Sequence, residues 1–207
     1  MEKPSEFNKE AIEAYENRPD NLSIKETVAT HPLKSGGSNF RTHKLTEENS
    51  CRLVFRPTVF AITFSSIFIF IGLAMLYFGY TKYQNNETEY LLFFGGLLFF
   101  IVGNIILYHI YQPRVFDKKE NIYYKGITPN ERNSVPLSSI VALQIIGEII
   151  HDDDGSYKSF EINLVLDDSS RKNVTDHGSL KSTIADAQWL SDFLKIPIWH
   201  ASSHTED

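Results

Sequence analysis

The sequence predicts an α+β membrane protein, in which a two-helix transmembrane hairpin precedes an antiparallel β domain closed by a C-terminal α-helix. Residues 57–80 and 91–111 contain no Asp, Glu, Lys or Arg, and a helix of about 20 apolar residues is long enough to cross a bilayer. From Arg114 onward, apolar and polar residues alternate, which is the period of β-strands. After Ser179 the apolar spacing becomes helical.

Residues 1–50 are predicted to be a cytoplasmic N-terminal extension, largely a linker. Beyond Pro19 the segment is rich in Ser, Thr and Asn and poor in aliphatic side chains, a composition typical of extended or flexible chain. Phe40 and Arg41 are candidate anchors for docking this segment onto a partner. The Gly36-Gly37 pair lacks the Gly-Lys-Ser/Thr ending of a phosphate loop, which argues against a nucleotide site.

Residues 51–113 are predicted to form the transmembrane hairpin, with spans at about 57–80 and 90–111. Core helices of a soluble protein normally keep one polar face, and these do not. Lys and Arg cluster outside the hairpin, whereas the loop between the spans holds only Lys82. Because basic residues near a span resist translocation, both termini are expected in the cytoplasm. The lone Cys51 agrees with a reducing compartment, so we expect the spans to lie in the cytoplasmic (inner) membrane.

The two spans must run antiparallel, and facing residue numbers then add to about 170. Asn104 comes level with Ser65 and Ser66, which predicts an interhelical hydrogen bond worth on the order of 1 kcal/mol. Glycines spaced seven residues apart occur on each span, either for close helix packing or as the ordinary glycine content of membrane helices. These four candidate packing residues are Gly72, Gly79, Gly96 and Gly103.

Residues 114–200 are predicted to form the β domain, with residues 201–207 as a polar tail. Ser179 is the expected N-cap of a helix that ends near Lys195, ahead of Pro197. A curved antiparallel sheet closed by such a helix is the outline of a pleckstrin-homology-like (PH-like) module, although other α+β arrangements share this element order. The predicted strands lie at residues 114–117, 121–125, 137–150, 159–166 and 172–175.

Two segments of the chain carry a resemblance to known families. They are Val-Phe-Asp-Lys-Lys at residues 115–119 and Ala-Gln-Trp-Leu-Ser-Asp-Phe-Leu-Lys-Ile-Pro-Ile at residues 187–198. Over residues 57–200 the chain resembles small bacterial two-span membrane proteins with PH-like cytosolic domains. It is also distantly similar to the photosystem I assembly factor family of cyanobacteria and chloroplasts. The resemblance implies a non-enzymatic scaffold or assembly role, but the long N-terminal extension keeps it from implying any link to pigments or photosystems.

The polar clusters of the domain do not match catalytic or metal-binding patterns. Residues 152–155 lack the alternating ligands of a calcium loop, and Asp176-His177 has no nucleophile or metal ligand beside it in sequence. We therefore expect no catalytic residues, no bound metal and no cofactor. Residues 114–207 hold ten Lys or Arg against fifteen Asp or Glu, and this acidic balance argues against binding nucleic acid or anionic lipid headgroups.

The function most consistent with these features is a membrane-anchored scaffold or accessory protein. Its cytosolic domain is expected to dock onto a protein partner, a second copy of the chain or a larger membrane complex. The alternative is a membrane-bound sensor or regulator that recognises a small ligand or lipid. Aromatic and arginine side chains commonly dominate interface energetics. The candidate partner-binding residues are Phe40, Arg41, Tyr157, Trp189 and Trp199.

Overall fold

The computed structural model describes residues 19–87, 89–152 and 155–202, and within them it shows an α+β fold. Four α-helices and nine β-strands make up the described chain, with a 3₁₀ turn before β6. The helices are α1 (Pro19–Thr27), α2 (Val59–Gln84), α3 (Tyr90–Ile110) and α4 (Leu180–Leu194). The strands are β1 (His43–Asn49), β2 (Arg52–Pro57), β3 (Arg114–Asp117), β4 (Ile122–Lys125), β5 (Ser134–Pro136), β6 (Ile140–Asp152), β7 (Gly155–Leu166), β8 (Arg171–His177) and β9 (Ile198–Ser202).

The strands form two sheets that share one apolar core. The first sheet is an antiparallel meander in the order β1-β2-β3-β4-β5, and the second has the order β8-β7-β6-β9, with β9 parallel to β6. The core contains Phe55 and Phe116 from the first sheet, Leu143 and Ile162 from the second, and Leu190 from α4. Burial of these alternating side chains holds the sheets and α4 together as one unit.

The two apolar helices are inserted into the first sheet. β2 ends at Pro57, directly before α2, and β3 begins at Arg114, directly after α3. These two strands are neighbours, with Phe55 opposite Arg114 and Leu53 opposite Phe116. The β domain is therefore built from chain on both sides of the helices, and both helices are tied to it where they meet β2 and β3.

This insertion revises the predicted boundaries, which assigned residues 1–50 to a linker and residues 51–113 to the hairpin. Residues 43–57 form the β1–β2 hairpin and bury Leu45, Leu53 and Phe55 in the core. The β1–β2 hairpin was not predicted, because Leu45 stands among polar residues. Residues 53–55 lie between Arg52 and Arg56, which resemble the basic flank of the first span. Residues 1–18, and residues 203–207 of the predicted tail, lie outside the described part of the chain.

The predicted elements after residue 114 are present, with shifted ends. Strands β3, β4, β6, β7 and β8 occupy the predicted regions, whereas β5 and β9 were not predicted. Helix α4 begins after Ser179, whose hydroxyl accepts a hydrogen bond from the backbone N–H of Ser182 at 3.4 Å. It ends at Lys195, whose positive φ of 63° is a left-handed C-terminal cap.

Helices α2 and α3 pack closely as an antiparallel pair. They contain 26 and 21 residues, and both are long and apolar enough to cross a membrane. All four candidate packing glycines are buried. A Cβ added to Gly72 would lie 2.5 Å from the backbone nitrogen of Phe100 and 2.7 Å from the carbonyl oxygen of Gly96. A Cβ at Gly96 or Gly103 would also lie under 3.0 Å from a backbone nitrogen of α2, so these three glycines let the backbones approach closely, whereas Gly79 faces only side chains.

The predicted hydrogen bond between Asn104 and the serines is absent from the described structure. The Asn104 amide instead donates to the carbonyl of Phe100 at 2.8 Å, within its own helix, and Asn104 is exposed. Ser65 and Ser66 likewise donate to the carbonyl of Ile62, at 2.9 and 2.8 Å. The facing register is close to the expected one, but Gly103 occupies the interface and turns its neighbour Asn104 outward.

Replacing Asn104 with leucine is therefore expected to leave the helix pair intact. The substitution removes only a bond within one turn, so the free energy of unfolding should change by no more than about 0.5 kcal/mol. Thermal unfolding in mild detergent measures this change. A clear loss of stability would show that Asn104 does contribute to packing, within the hairpin or between copies of the chain.

Candidate functional site

A cavity of about 590 Å³ lies where α2 and α3 meet the β domain. Its apolar wall comes from the first turns of α2, with Phe60 and Phe64, and from the last turns of α3, with Ile105, Ile106 and Ile110. This volume lies within the range of small-molecule sites. The insertion of the helices between β2 and β3 creates the cavity, because it brings both helix ends against the first sheet.

The polar part of the lining comes from three separate parts of the β domain, with His109 of α3 in addition. The segment before β1 supplies Lys34, Ser38 and Thr42. The first sheet supplies three further residues, and β8 of the second sheet supplies Asp176. From the first sheet come His43 of β1, Arg114 of β3 and Lys125 of β4. A molecule in this cavity therefore meets hydrocarbon, mostly from the helices, and charged groups, which come from the β domain.

The segment before β1 is held on the second sheet, although its composition predicted a linker. The backbone N–H of Leu33 donates to the Glu161 carboxylate at 2.8 Å. The Tyr157 hydroxyl donates to the carbonyl of Gly37 at 3.0 Å. Lys34 forms an ion pair with Asp176 at 3.3 Å. These contacts fix this segment as one wall of the cavity.

His43 joins β1 to the end of α3. Its Nε2 lies 2.9 Å from the carbonyl oxygen of Ile110, and its Nδ1 lies 2.9 Å from the Thr42 hydroxyl. Because a carbonyl only accepts, Nε2 carries the proton and Nδ1 accepts from Thr42. Burial, together with the positive charge of Arg114, lowers the pKa of His43 to about 3. His43 is therefore neutral at pH 7 and adds no charge to the cavity.

The charged groups of the cavity are mostly cations. Arg114 and Lys125 are directly opposite each other in neighbouring strands, an arrangement of like charges that is unfavourable by itself. Partial desolvation, then the nearby charges of Arg114 and Lys34, lowers the pKa of Lys125, although much of its side chain remains exposed. Among the described residues that line the cavity, Asp176 is the only carboxylate. Three cations thus face one carboxylate, and that carboxylate is already paired with Lys34.

The candidate partner-binding residues separate into two groups. Trp199 of β9 is only 4% exposed and packs with Val28 in a small apolar cluster of the second sheet. Arg41 forms an ion pair with Asp186 at 2.5 Å, and Tyr157 holds the segment before β1. These three side chains therefore make contacts within the chain. Phe40 and Trp189 are 61% and 40% exposed, and Phe40 also lines the cavity and stacks on Phe60.

The Asp176-His177 pair does not form an acid–base unit. Successive residues of a strand point to opposite faces, so Asp176 reaches Lys34 and the cavity while His177 turns into the protein. The Nδ1 atom of His177 accepts a hydrogen bond from the backbone N–H of Ser179 at 3.2 Å, next to the start of α4. Burial, then the charge of Arg41, lowers the pKa of His177 to about 4. Asp153 and Asp154 of the acidic turn lie outside the described residues.

Comparisons with protein-family models, with curated proteins and with solved structures found no match. The function is therefore inferred from the residues of the cavity. The site is not predictable from local sequence patterns because its members are scattered between Lys34 and Asp176 and meet only in the folded chain. Arg114 and Lys125 are recognisable in the sequence as basic residues close to the second span, a position that indicates membrane orientation and not a binding site.

Proposed function

We propose that the protein is a membrane-anchored, non-enzymatic regulator that recognises a small amphipathic ligand or lipid. The observation that carries this proposal is the cavity with one apolar and one cationic wall. Its apolar wall belongs to the two helices and its cationic wall to the β domain. A ligand seated there contacts both parts of the protein at once, so its binding alters how the helices and the β domain are held together.

Membrane anchoring is supported by the outer surface of the helix pair. Large apolar side chains on both helices have no cover within the described structure, and soluble proteins rarely expose contiguous apolar surface of this extent. We infer that the helices cross the bacterial cytoplasmic membrane, with both termini and the β domain in the cytoplasm. The exposed residues outside the cavity lining include Ile67, Phe70, Leu73 and Phe78 on α2, and Leu91, Phe94, Leu98 and Ile101 on α3.

A PH-like β domain is part of the same proposal. Two sheets with α4 packed against their shared core support that assignment. Two features go beyond the simple outline. Strand β9 follows α4 and pairs with β6 in parallel, and the helix pair forms the connection in sequence between the neighbouring strands β2 and β3.

Native mass spectrometry of the full chain in mild detergent tests the proposal. The wild-type protein is expected to retain one copurified lipid or amphiphile per chain. An Ile105→Trp variant should lose most of that ligand, because the larger ring occupies the cavity beside Phe64. Ile101→Trp is the matched control, since Ile101 is also exposed and lies one turn earlier on α3, outside the cavity lining. Absence of any retained ligand, or equal loss in both variants, would contradict the proposal.

A scaffold is the second candidate, and the exposed surface of α4 favours it. Leu180 and Trp189 are 45% and 40% exposed on this helix, and exposed tryptophans are frequent interface anchors. Under this proposal α4 docks onto a protein partner or onto another copy of the chain. Recovery of a defined complex from mild detergent by the wild type, and its loss in Trp189→Ala, would support it. Recovery that is unchanged in the variant would oppose docking through α4.

A further inference from the structure

Arg114 is a buried cation with no carboxylate partner among the described residues. It is 8% exposed and lines the cavity. Its Nε atom is buried without a hydrogen-bond partner, and the contact from its Nη1 to the carbonyl of Gln112 is long, at 3.5 Å. A buried charge is costly unless it is paired. Within the described chain this guanidinium therefore lacks the counter-ion that its position requires.

Nearby groups do not supply that counter-ion. Lys125, directly opposite on β4, adds a second cation and has no ion pair with a described residue. Asp176 is engaged by Lys34 at 3.3 Å, and its charge acts on Arg114 without an ion-pair contact. The carbonyl end of α3 offers only the partial negative charge of a helix terminus, about half an elementary charge. The cavity thus keeps a surplus of positive charge inside a domain whose net charge is negative.

We propose that the cavity binds the phosphate group of an anionic membrane lipid, with its headgroup on Arg114 and Lys125 and an acyl chain along Phe60, Phe64 and Ile105. This inference rests on the proposed function and names the ligand class. A guanidinium fork matches two phosphate oxygens, and basic pockets beside membrane helices are suited to acidic headgroups. A zwitterionic lipid also carries phosphate, but its own cation would meet the positive wall. Anionic lipids should therefore bind more tightly.

Native mass spectrometry in detergent with equal amounts of phosphatidylglycerol and phosphatidylcholine tests this preference. The wild type should retain phosphatidylglycerol in preference, and Arg114→Met should reduce that preference by about tenfold or more, the effect of losing a charged hydrogen bond. Because Arg114 forms no ion pair with a described carboxylate, the substitution leaves no buried carboxylate unpaired, and the variant is expected to fold. Lys125→Met, at an exposed position, provides a second test that does not alter the core. Arg56→Met removes the same charge outside the cavity and should keep the preference.

A titration with inorganic phosphate distinguishes the source of the anion. Under the proposal, millimolar phosphate neither displaces phosphatidylglycerol nor raises the thermal midpoint. A different outcome would be that phosphate raises the thermal midpoint of the wild type but not of Arg114→Met, while phosphatidylglycerol is not retained in preference. That result would assign the site to a free anion and overturn the proposal that the ligand is a lipid. Retention of one lipid with no headgroup preference would reject this inference and leave the proposed function standing. No retained lipid of either kind, and no effect of phosphate, would remove both.

Discussion

Replacing Gly72 with alanine is expected to destabilise the helix pair by about 1–3 kcal/mol, the usual cost of overpacking. The new methyl group would lie 2.5 Å from the backbone nitrogen of Phe100 and 2.7 Å from the carbonyl oxygen of Gly96. Neither atom can move without its helix, so α2 and α3 must separate along their length. Because the cavity is formed by both helix ends, the change should also weaken ligand retention.

Gly95→Ala is the matched control for this prediction. Gly95 lies next to Gly96 on α3, and a Cβ there would meet only the terminal methyl of Met75, at 2.7 Å. That flexible end can move aside, and alanine is intrinsically better than glycine in a helix by about 1 kcal/mol. Thermal unfolding in mild detergent should show a lower midpoint for Gly72→Ala and an unchanged or higher one for Gly95→Ala. Equal shifts in the two variants would contradict the close backbone contact.

The local pattern of the sequence predicted most of the fold after residue 57. Continuous apolar runs predicted α2 and α3, and alternation after Arg114 predicted five strands, because these periods follow directly from helix and strand geometry. The first two strands were missed because β1 pairs only with β2, and β2 pairs with β3, which follows the helix pair in sequence. No local pattern indicates that Leu53 will pair with Phe116 across the intervening chain.

The candidate site was harder to predict, for a physical reason. The net charge of residues 114–207 as a whole is negative, and this acidic balance predicted that anionic ligands are disfavoured. In the folded chain Arg114 and Lys125 adjoin while most acidic side chains lie elsewhere, so the local charge of the cavity is opposite in sign to that of the domain. Asn104 shows the same limit. The position of Asn104 along the helix axis was predictable from the antiparallel register. The side of the helix on which it lies depended on which neighbouring residue fitted the interface.

Lowering the pH from 7 to 5 is expected to destabilise the β domain strongly through His43 and His177. Their pKa values are about 3 and 4 in the folded chain, against an ordinary value of 6.5. Below pH 6.5 these two histidines therefore bind protons in the unfolded chain but remain neutral in the folded chain. The stability from both groups is complete above pH 6.5 and is lost as the pH falls toward 4 and 3. Over pH 7 to 5 each contributes a loss of about 2 kcal/mol.

Thermal unfolding at both pH values, with variants that keep one native hydrogen bond, isolates these two histidines. Gln at position 43 can still donate to the carbonyl of Ile110, and Asn at position 177 can still accept from the N–H of Ser179. His43→Gln and His177→Asn should each be less stable than wild type at pH 7 but lose about 2 kcal/mol less between pH 7 and 5. His31→Gln, at an exposed position, should retain the full wild-type loss. If all three variants lost as much stability between pH 7 and 5 as the wild type, the acid sensitivity would have to arise from other groups. The neutral state of His43 beside Arg114 would then be refuted.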